Sequence, residues 1–122
     1  MPFSTYAKTK LVDTFRNQSF AVVTTYASLH FSNPGDTGAS EISGGTPAYA
    51  RKAVTWNAAS GGALDSSNAP IFDVPAATTV SHVGLWDALA AGNFLGYADV
   101  SDEPFASQGT YTLTDMDLDL NL

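Results

Sequence analysis

The 122 residues contain no cysteine, which excludes disulfides and thiolate metal sites and leaves the redox compartment open. Basic residues are nearly as scarce. Lys8, Lys10, Arg16, Arg51 and Lys52 all precede Ala53, so the last seventy residues carry no lysine or arginine. Nine of the twelve acids fall in that same stretch, and the formal net charge is -7. A nucleic-acid binder needs clustered bases to neutralise phosphates, so a role on DNA or RNA is disfavoured. The acidity reads instead as a surface kept soluble by repulsion. Long apolar runs are missing as well, none approaching the ~20 residues of a membrane span. The opening MPFSTYAKTK has no apolar core behind a basic region. The expectation is a soluble protein made in the cytoplasm without a conventional secretion signal, with neither nucleic acid nor membrane as partner.

Chain length allows one domain with one core, 1–122, and a hydrophobic share of 44% is ordinary for a globular protein. The clearest element is Thr78 to Tyr97, TTVSHVGLWDALAAGNFLGY, which reads as a hairpin. Its first arm alternates, Val80, His82, Gly84 and Trp86 facing one way and Ser81, Val83, Leu85 and Asp87 the other. Its second arm is short and carries Phe94, Leu95 and Tyr97. Between them Gly92 and Asn93 supply residues able to take positive φ.

Upstream, Ser4 caps a predicted helix through Asn17, with Ala7, Leu11 and Phe15 recurring at intervals of four. This 1–18 helical arm lies against a sheet, or orders only against a neighbouring subunit. Phe20 to Phe31 reads as a strand that bends midway, and Asn33-Pro34-Gly35-Asp36 stops it. A long Gly/Ser/Thr/Pro loop, 32–48, follows, of the kind that carries binding or assembly contacts. Tyr49 to Ala59 resumes strand character, with Val54 and Trp56 on one face. Ala69 to Val74 is placed at a sheet edge by Pro70 and Pro75, since proline cannot donate to a ladder. Glu103-Pro104-Phe105 begins a further segment after the hairpin, and Gln108-Gly109 is a turn. The final TYTLTDMDLDLNL is a strand in two phases, Tyr111 and Leu113 on odd numbers, Met116, Leu118, Leu120 and Leu122 on even ones. A β-bulge near Thr114-Asp115 would absorb the slip. About six to eight strands between Gly/Pro turns, behind one helix, predict an all-β antiparallel sandwich of jelly-roll type.

Catalytic patterns are sought and not found. The chain has no G-x-S-x-G elbow, no H-E-x-x-H helix, and no P-loop at Gly44-Gly45-Thr46 or Gly61-Gly62. His30 and His82 are the only histidines, and no spacing pairs them as ligands. Ser81 and His82 are adjacent on a strand and should point to opposite faces, which forbids a direct nucleophile and base pair. Asp115, Asp117 and Asp119 share a strand face at roughly 6 to 7 Å spacing and could hold Ca²⁺, or merely keep an edge from pairing. The glycine and distal glutamate of an EF-hand are absent. Trp56, Trp86, Tyr49, Phe72, Phe94 and Tyr97 could stack on sugars, but most fall at core-facing positions. No enzyme and no cofactor is predicted.

The order of phrases adds to this. S-L-H-F-S-N-P-G-D-T-G-A-S-E-I-S-G-G (Ser28 to Gly45), Y-A-R-K-A-V-T-W (Tyr49 to Trp56), S-N-A-P-I-F-D-V-P-A (Ser67 to Ala76), V-S-H-V-G-L-W-D-A (Val80 to Ala88) and G-T-Y-T-L (Gly109 to Leu113) resemble successive motifs of small tailed-bacteriophage virion proteins, those labelled tail fibre or minor tail protein. The resemblance covers roughly Tyr26 to Thr114, about three quarters of the chain. It implies a non-enzymatic virion structural protein displayed on the particle exterior, as tail fibre, minor tail protein or capsid decoration. It also implies partners among the other tail or capsid proteins and a homo-oligomer such as a trimer. The alternative is a module binding a host surface glycan through the long loop. His30, Asn33, Asp36, Arg51, His82 and Trp86, which lie within the quoted phrases, are the candidate assembly or binding residues.

Overall fold

A computed structural model describes residues 1–120. Its elements are helix α1 (Thr5–Asp13), continued by a 3-10 turn (Thr14–Arg16), and eight strands: β1 Thr25–His30, β2 Lys52–Val54, β3 Ala63–Asp65, β4 Ile71–Val74, β5 Thr78–Trp86, β6 Phe94–Phe105, β7 Gly109–Thr112 and β8 Asp117–Asp119. All pairings are antiparallel. A four-stranded sheet of order β2-β1-β5-β6 is joined by two ribbons, β3-β8 and β4-β7. The result is the all-β, sandwich-like fold with one short helix that the sequence predicts.

The helix begins as expected. Ser4 is extended, and its Oγ accepts from the Ala7 N–H at 3.1 Å. Asn17 ends the 3-10 turn in the left-handed conformation, φ 67°. The predicted apolar stripe does not hold to its end: Ala7 is buried, but Phe15 is 93% exposed. After Asp13 the chain tightens to three residues per turn, which rotates Phe15 off the stripe. Just before the helix, Pro2 and Phe3 lie along the free edge of β6, where Tyr97 N–H donates to the Pro2 carbonyl at 3.1 Å and Ser4 N–H to that of Leu95 at 2.9 Å. Gly96 permits this approach, because a Cβ there would stand 2.6 Å from the Pro2 oxygen.

One face of the main sheet builds the core. Ala27 and Leu29 of β1, Val54 of β2, Val80, Val83 and Leu85 of β5 and Leu95 of β6 pack with Phe72 and Val74 of β4 and with Leu113 and Met116. Strict alternation puts Val80 on the face opposite Val83 and Leu85. A register shift between Val80 and His82 changes the parity and lets all three enter the core.

Several predicted boundaries are corrected. Phe20 to Phe31 is strand only from Thr25, and Tyr49 to Ala59 reduces to Lys52–Val54 with an isolated bridge from Trp56 to Ser66. The second hairpin arm is long, not short. Glu103-Pro104-Phe105 is its far end, paired with Thr78 to Val80, rather than a separate segment. In the hairpin turn it is Ala91 and Gly92 that take positive φ, while Asn93 bonds back to the Asp87 carboxylate through its N–H at 2.7 Å and its amide at 2.9 Å. The two-phase final strand is no bulged strand but two strands in different ribbons, β7 beside β4 and β8 beside β3. The parity changes where the chain crosses between them, pinned by Leu113 N–H to the Pro70 carbonyl and Met116 N–H to Ser66 Oγ, both at 2.9 Å. Leu122 of the predicted even-numbered face lies outside the described residues.

Candidate functional site

The opposite face of the main sheet is polar and aromatic, and the long loop folds over it. In β1 the residues alternating with Ala27 and Leu29 are Ser28 and His30, which stand across from Gly84 and His82 of β5. Trp86 lies across from Tyr26 on one side and Phe94 on the other, its ring 5.0 Å from that of Phe94. The loop reaches this face at Gly38, whose φ is +78° and where a Cβ would lie 2.4 Å from the Trp86 ring. Its return limb joins the edge of β1 beyond β2, through Phe31 N–H to the Ser40 carbonyl (3.1 Å) and Ile42 N–H to that of Leu29 (3.0 Å).

Beneath the loop runs a chain of hydrogen bonds with a defined direction. An indole N–H can only donate and a carbonyl can only accept. Trp86 Nε1–H therefore donates to Ser28 Oγ (2.9 Å), the Ser28 hydroxyl donates to His30 Nε2 (2.7 Å), and His30 Nδ1–H donates to the Ala39 carbonyl (2.7 Å). The arrangement requires a neutral imidazole protonated on Nδ1. Burial lowers the His30 pKa from its ordinary 6.5, outweighing the Ala39 hydrogen bond and the nearby Glu41, with His82 and Arg51 pushing the same way as burial.

A second network closes the loop's far end. Arg51 Nη2 donates to Glu41 Oε1 at 2.9 Å and Nε to Glu41 Oε2 at 3.0 Å, a two-pronged ion pair. Its Nη1 donates to the carbonyls of Ala88 (2.9 Å) and Ala91 (2.8 Å) in the hairpin turn, and its guanidinium lies 3.7 Å from the centre of the Trp86 ring. Tyr49 donates to Glu41 Oε2 at 2.8 Å and accepts from the Leu29 N–H at 3.0 Å, and burial pushes its phenol far above its ordinary range. Glu41, Arg51, Tyr49 and the turn thus lock three distant segments around one tryptophan.

All six candidate residues meet this loop or the face below it. His30, Arg51 and Trp86 are buried and fully engaged within the fold. Asn33 and Asp36 are exposed: Asn33 caps the Gly35 N–H, and Asp36 accepts from Thr5 N–H at 2.7 Å at the start of α1. His82 is half-buried against Tyr97, its Nε2 3.8 Å from Asp99. Ser81 corrects the prediction. Its Oγ lies 2.8 Å from His82 Nδ1, because the register shift at this point breaks the alternation that would have separated them. Among the described residues, Ser81, His82 and Asp99 are absent from the linings of the cleft beside Glu41 and Arg51 and of the two apolar clefts beside Phe3 and Leu118. Ser28, Glu41 and Gly38 went unnoticed in the sequence. Only the S-x-H spacing of Ser28 and His30 signals a shared strand face.

The acidic group also differs from the expected one. Oxygens of Asp65, Asp115 and Asp117 lie within 4.8 Å of one another, while Asp119 stands across from Ala63. All three are exposed, and Asp117 is pushed up chiefly by the neighbouring charge of Asp115. Of the aromatics weighed as a sugar platform, Phe72, Phe94 and Trp86 are buried and Tyr49, Trp56 and Tyr97 half-buried.

A family model described as Podophage GP4 fiber I protein gp80 matches residues 2–120. The chain belongs to that family. No curated protein matches it. Membership agrees with the resemblance carried by the five phrases and makes the chain a fibre-type structural component of a phage virion, associated with other virion proteins. The match also takes in the helix and the acidic β8, which lie outside those phrases.

Proposed function

We propose that the chain is a non-enzymatic structural module on the exterior of the particle, part of a tail fibre, and that it works as a homo-oligomer. The observation that supports this most is the closed state of the polar face. Trp86, Ser28, His30, Arg51 and Glu41 spend their hydrogen-bonding groups on one another and on the loop, and among the described residues no buried side-chain polar atom lacks a partner. A catalytic or sugar-binding site keeps such groups free for its ligand. Here they hold a loop and a turn, as a rigid displayed module requires.

Cryo-electron microscopy of purified particles tests the proposal. Density for this fold is expected on the tail. Density on the capsid surface would make it a decoration protein instead, and its absence from the particle would defeat the reading. Glycan-array binding at micromolar protein would favour a receptor-binding module.

A further inference from the structure

A row of ionisable side chains crosses the polar face of the main sheet. Glu41 is bridged to His30, His30 stands across from His82, and His82 stands across from Asp99. Residues directly opposite on neighbouring strands share a face. The inner half of the row is committed to the fold: His30 has both ring nitrogens engaged, with Ser28 and the Ala39 carbonyl, and Glu41 holds Arg51 and Tyr49. The outer half is not. His82 Nε2 and Asp99 Oδ1 lie 3.8 Å apart, too far for a hydrogen bond, and the Asp99 side chain is 81% exposed.

The imidazole of His82 is set by its other nitrogen. Ser81 Oγ lies 3.4 Å from the His30 carbonyl, which can only accept, and 2.8 Å from His82 Nδ1. With its one proton directed to the carbonyl, the hydroxyl accepts from Nδ1–H. That tautomer turns the bare lone pair of Nε2 toward the Asp99 carboxylate, so two acceptors converge. The Tyr97 ring flanks the imidazole edge-on, 5.9 Å between centres. The register shift creates the arrangement. Between the pairs Val80–Glu103 and His82–Asp99, β5 has Ser81 alone whereas β6 has Val100, Ser101 and Asp102, and irregularities of this kind re-aim side chains.

We propose that His82 Nε2 and Asp99 together bind a divalent metal ion of the zinc type, with solvent completing its shell. A neutral imidazole and an ionised carboxylate are donors that such ions take, and a hydroxyl holding the far ring nitrogen is the support a metal-binding histidine ordinarily has. Bonds of about 2.0–2.2 Å from each ligand reach one ion across the observed gap, and rotation of the exposed Asp99 side chain brings the angle toward the tetrahedral value. The local charge agrees, since β6 carries Asp99, Asp102 and Glu103 and no base. The ion ties the irregular part of β5 to the edge strand β6 and draws on no group that holds the loop.

Titration of the full chain with zinc chloride at neutral pH, followed by imidazole ¹⁵N shifts, calorimetry and melting temperature, tests it. Before metal, His82 should carry its proton on Nδ1. One equivalent of zinc should move the Nε2 signal of His82, leave His30 unmoved and raise the melting temperature. Magnesium should do none of these, because it favours all-oxygen sites. His82→Gln and Asp99→Asn should each abolish the saturable binding; Asp99 is exposed enough for its substitution to leave the circular dichroism unchanged. Ser81→Ala should weaken binding about tenfold and redistribute the His82 proton between its nitrogens, and Ser81→Thr should restore both. Asp117→Asn, in the separate acidic group, should leave the zinc response of His82 intact. A His82 signal indifferent to millimolar zinc overturns the proposal, as does a response that survives Asp99→Asn. A metal-free His82 ring that is charged or protonated on Nε2 overturns it equally.

Discussion

Ser28→Ala is the sharpest probe of the polar face. The side chain is fully buried, and its single oxygen receives the Trp86 indole N–H at 2.9 Å and donates to His30 Nε2 at 2.7 Å. Removing one oxygen leaves little void, so packing loss is minor and the cost is almost purely polar. Two buried groups are stranded, an N–H and an imidazole lone pair, each worth about 1–3 kcal/mol when unsatisfied. Some recovery by small shifts leaves an expected loss of about 2–4 kcal/mol, or roughly 10 °C in melting temperature for a chain of this size. Urea titration followed by tryptophan fluorescence measures it, with an unchanged slope showing that the unfolded state is not responsible. Trp86→Phe supplies the control, because it deletes the indole donor. If the directional chain is real, Ser28→Ala in the Trp86→Phe background must cost less than in the native protein. A loss below about 0.5 kcal/mol, or strict additivity in that cycle, would refute the network.

Three further outcomes follow from the same geometry. Gly38→Ala combines a left-handed φ of 78° with a Cβ 2.4 Å from the Trp86 ring, so it should lose about 2–4 kcal/mol in the same urea titration. Arg51→Met keeps most of the stem over Trp86 but leaves the Glu41 carboxylate without its cation and two turn carbonyls without a donor; a loss of about 3–5 kcal/mol is expected. His30 has a lowered pKa when folded, so between that value and 6.5 the unfolded chain binds more protons. Its contribution to stability is therefore complete above pH 6.5 and is lost as the pH falls below it. Imidazole ¹⁵N shifts should show a neutral ring with the proton on Nδ1 at pH 6.5, and a charged ring there would contradict the hydrogen-bond directions.

What could be read from the sequence was what rests on local chemistry. The Ser4 cap, the β5 run, the edge placement forced by Pro70 and Pro75, and the stop at Asn33-Pro34 each depend on a few neighbouring residues. What was missed depends on distant ones. Alternation in β5 fails at Ser81 because the pairing with β6 shifts there, and nothing in VSHVGLW reports the partner strand's register. The long arm from Phe94 to Phe105 contains Pro104 and three acids, all of which weaken a strand assignment, yet β6 lies at the sheet edge where charge and proline are tolerated. The parity change in the last segment was visible, but whether it marks a bulge or a move between ribbons depends on where β3 and β4 lie. The candidate residues lie around one loop, but the sequence carries no sign of how they interact, since Glu41 and Arg51 meet ten residues apart across a turn that no short motif encodes.

The loop itself changes meaning once these contacts are counted together. A stretch rich in glycine, serine and proline reads as a free surface available for recognition, but here Gly38 lies on Trp86, Ala39 holds His30, Ser40 and Ile42 extend the edge of β1, and Glu41 anchors Arg51. A segment held at five successive residues cannot reshape itself around a ligand without breaking the buried chain beneath it. Recognition by this chain therefore falls to surfaces that cost nothing inside the fold to use. Exposed apolar side chains of the helical segment meet that condition: Phe15, 93% exposed, can be buried by a neighbour without releasing a single internal hydrogen bond. The bases follow the same division: Lys8, Lys10 and Arg16 lie on the exposed helical segment, whereas Arg51 is held by Glu41 beneath the loop.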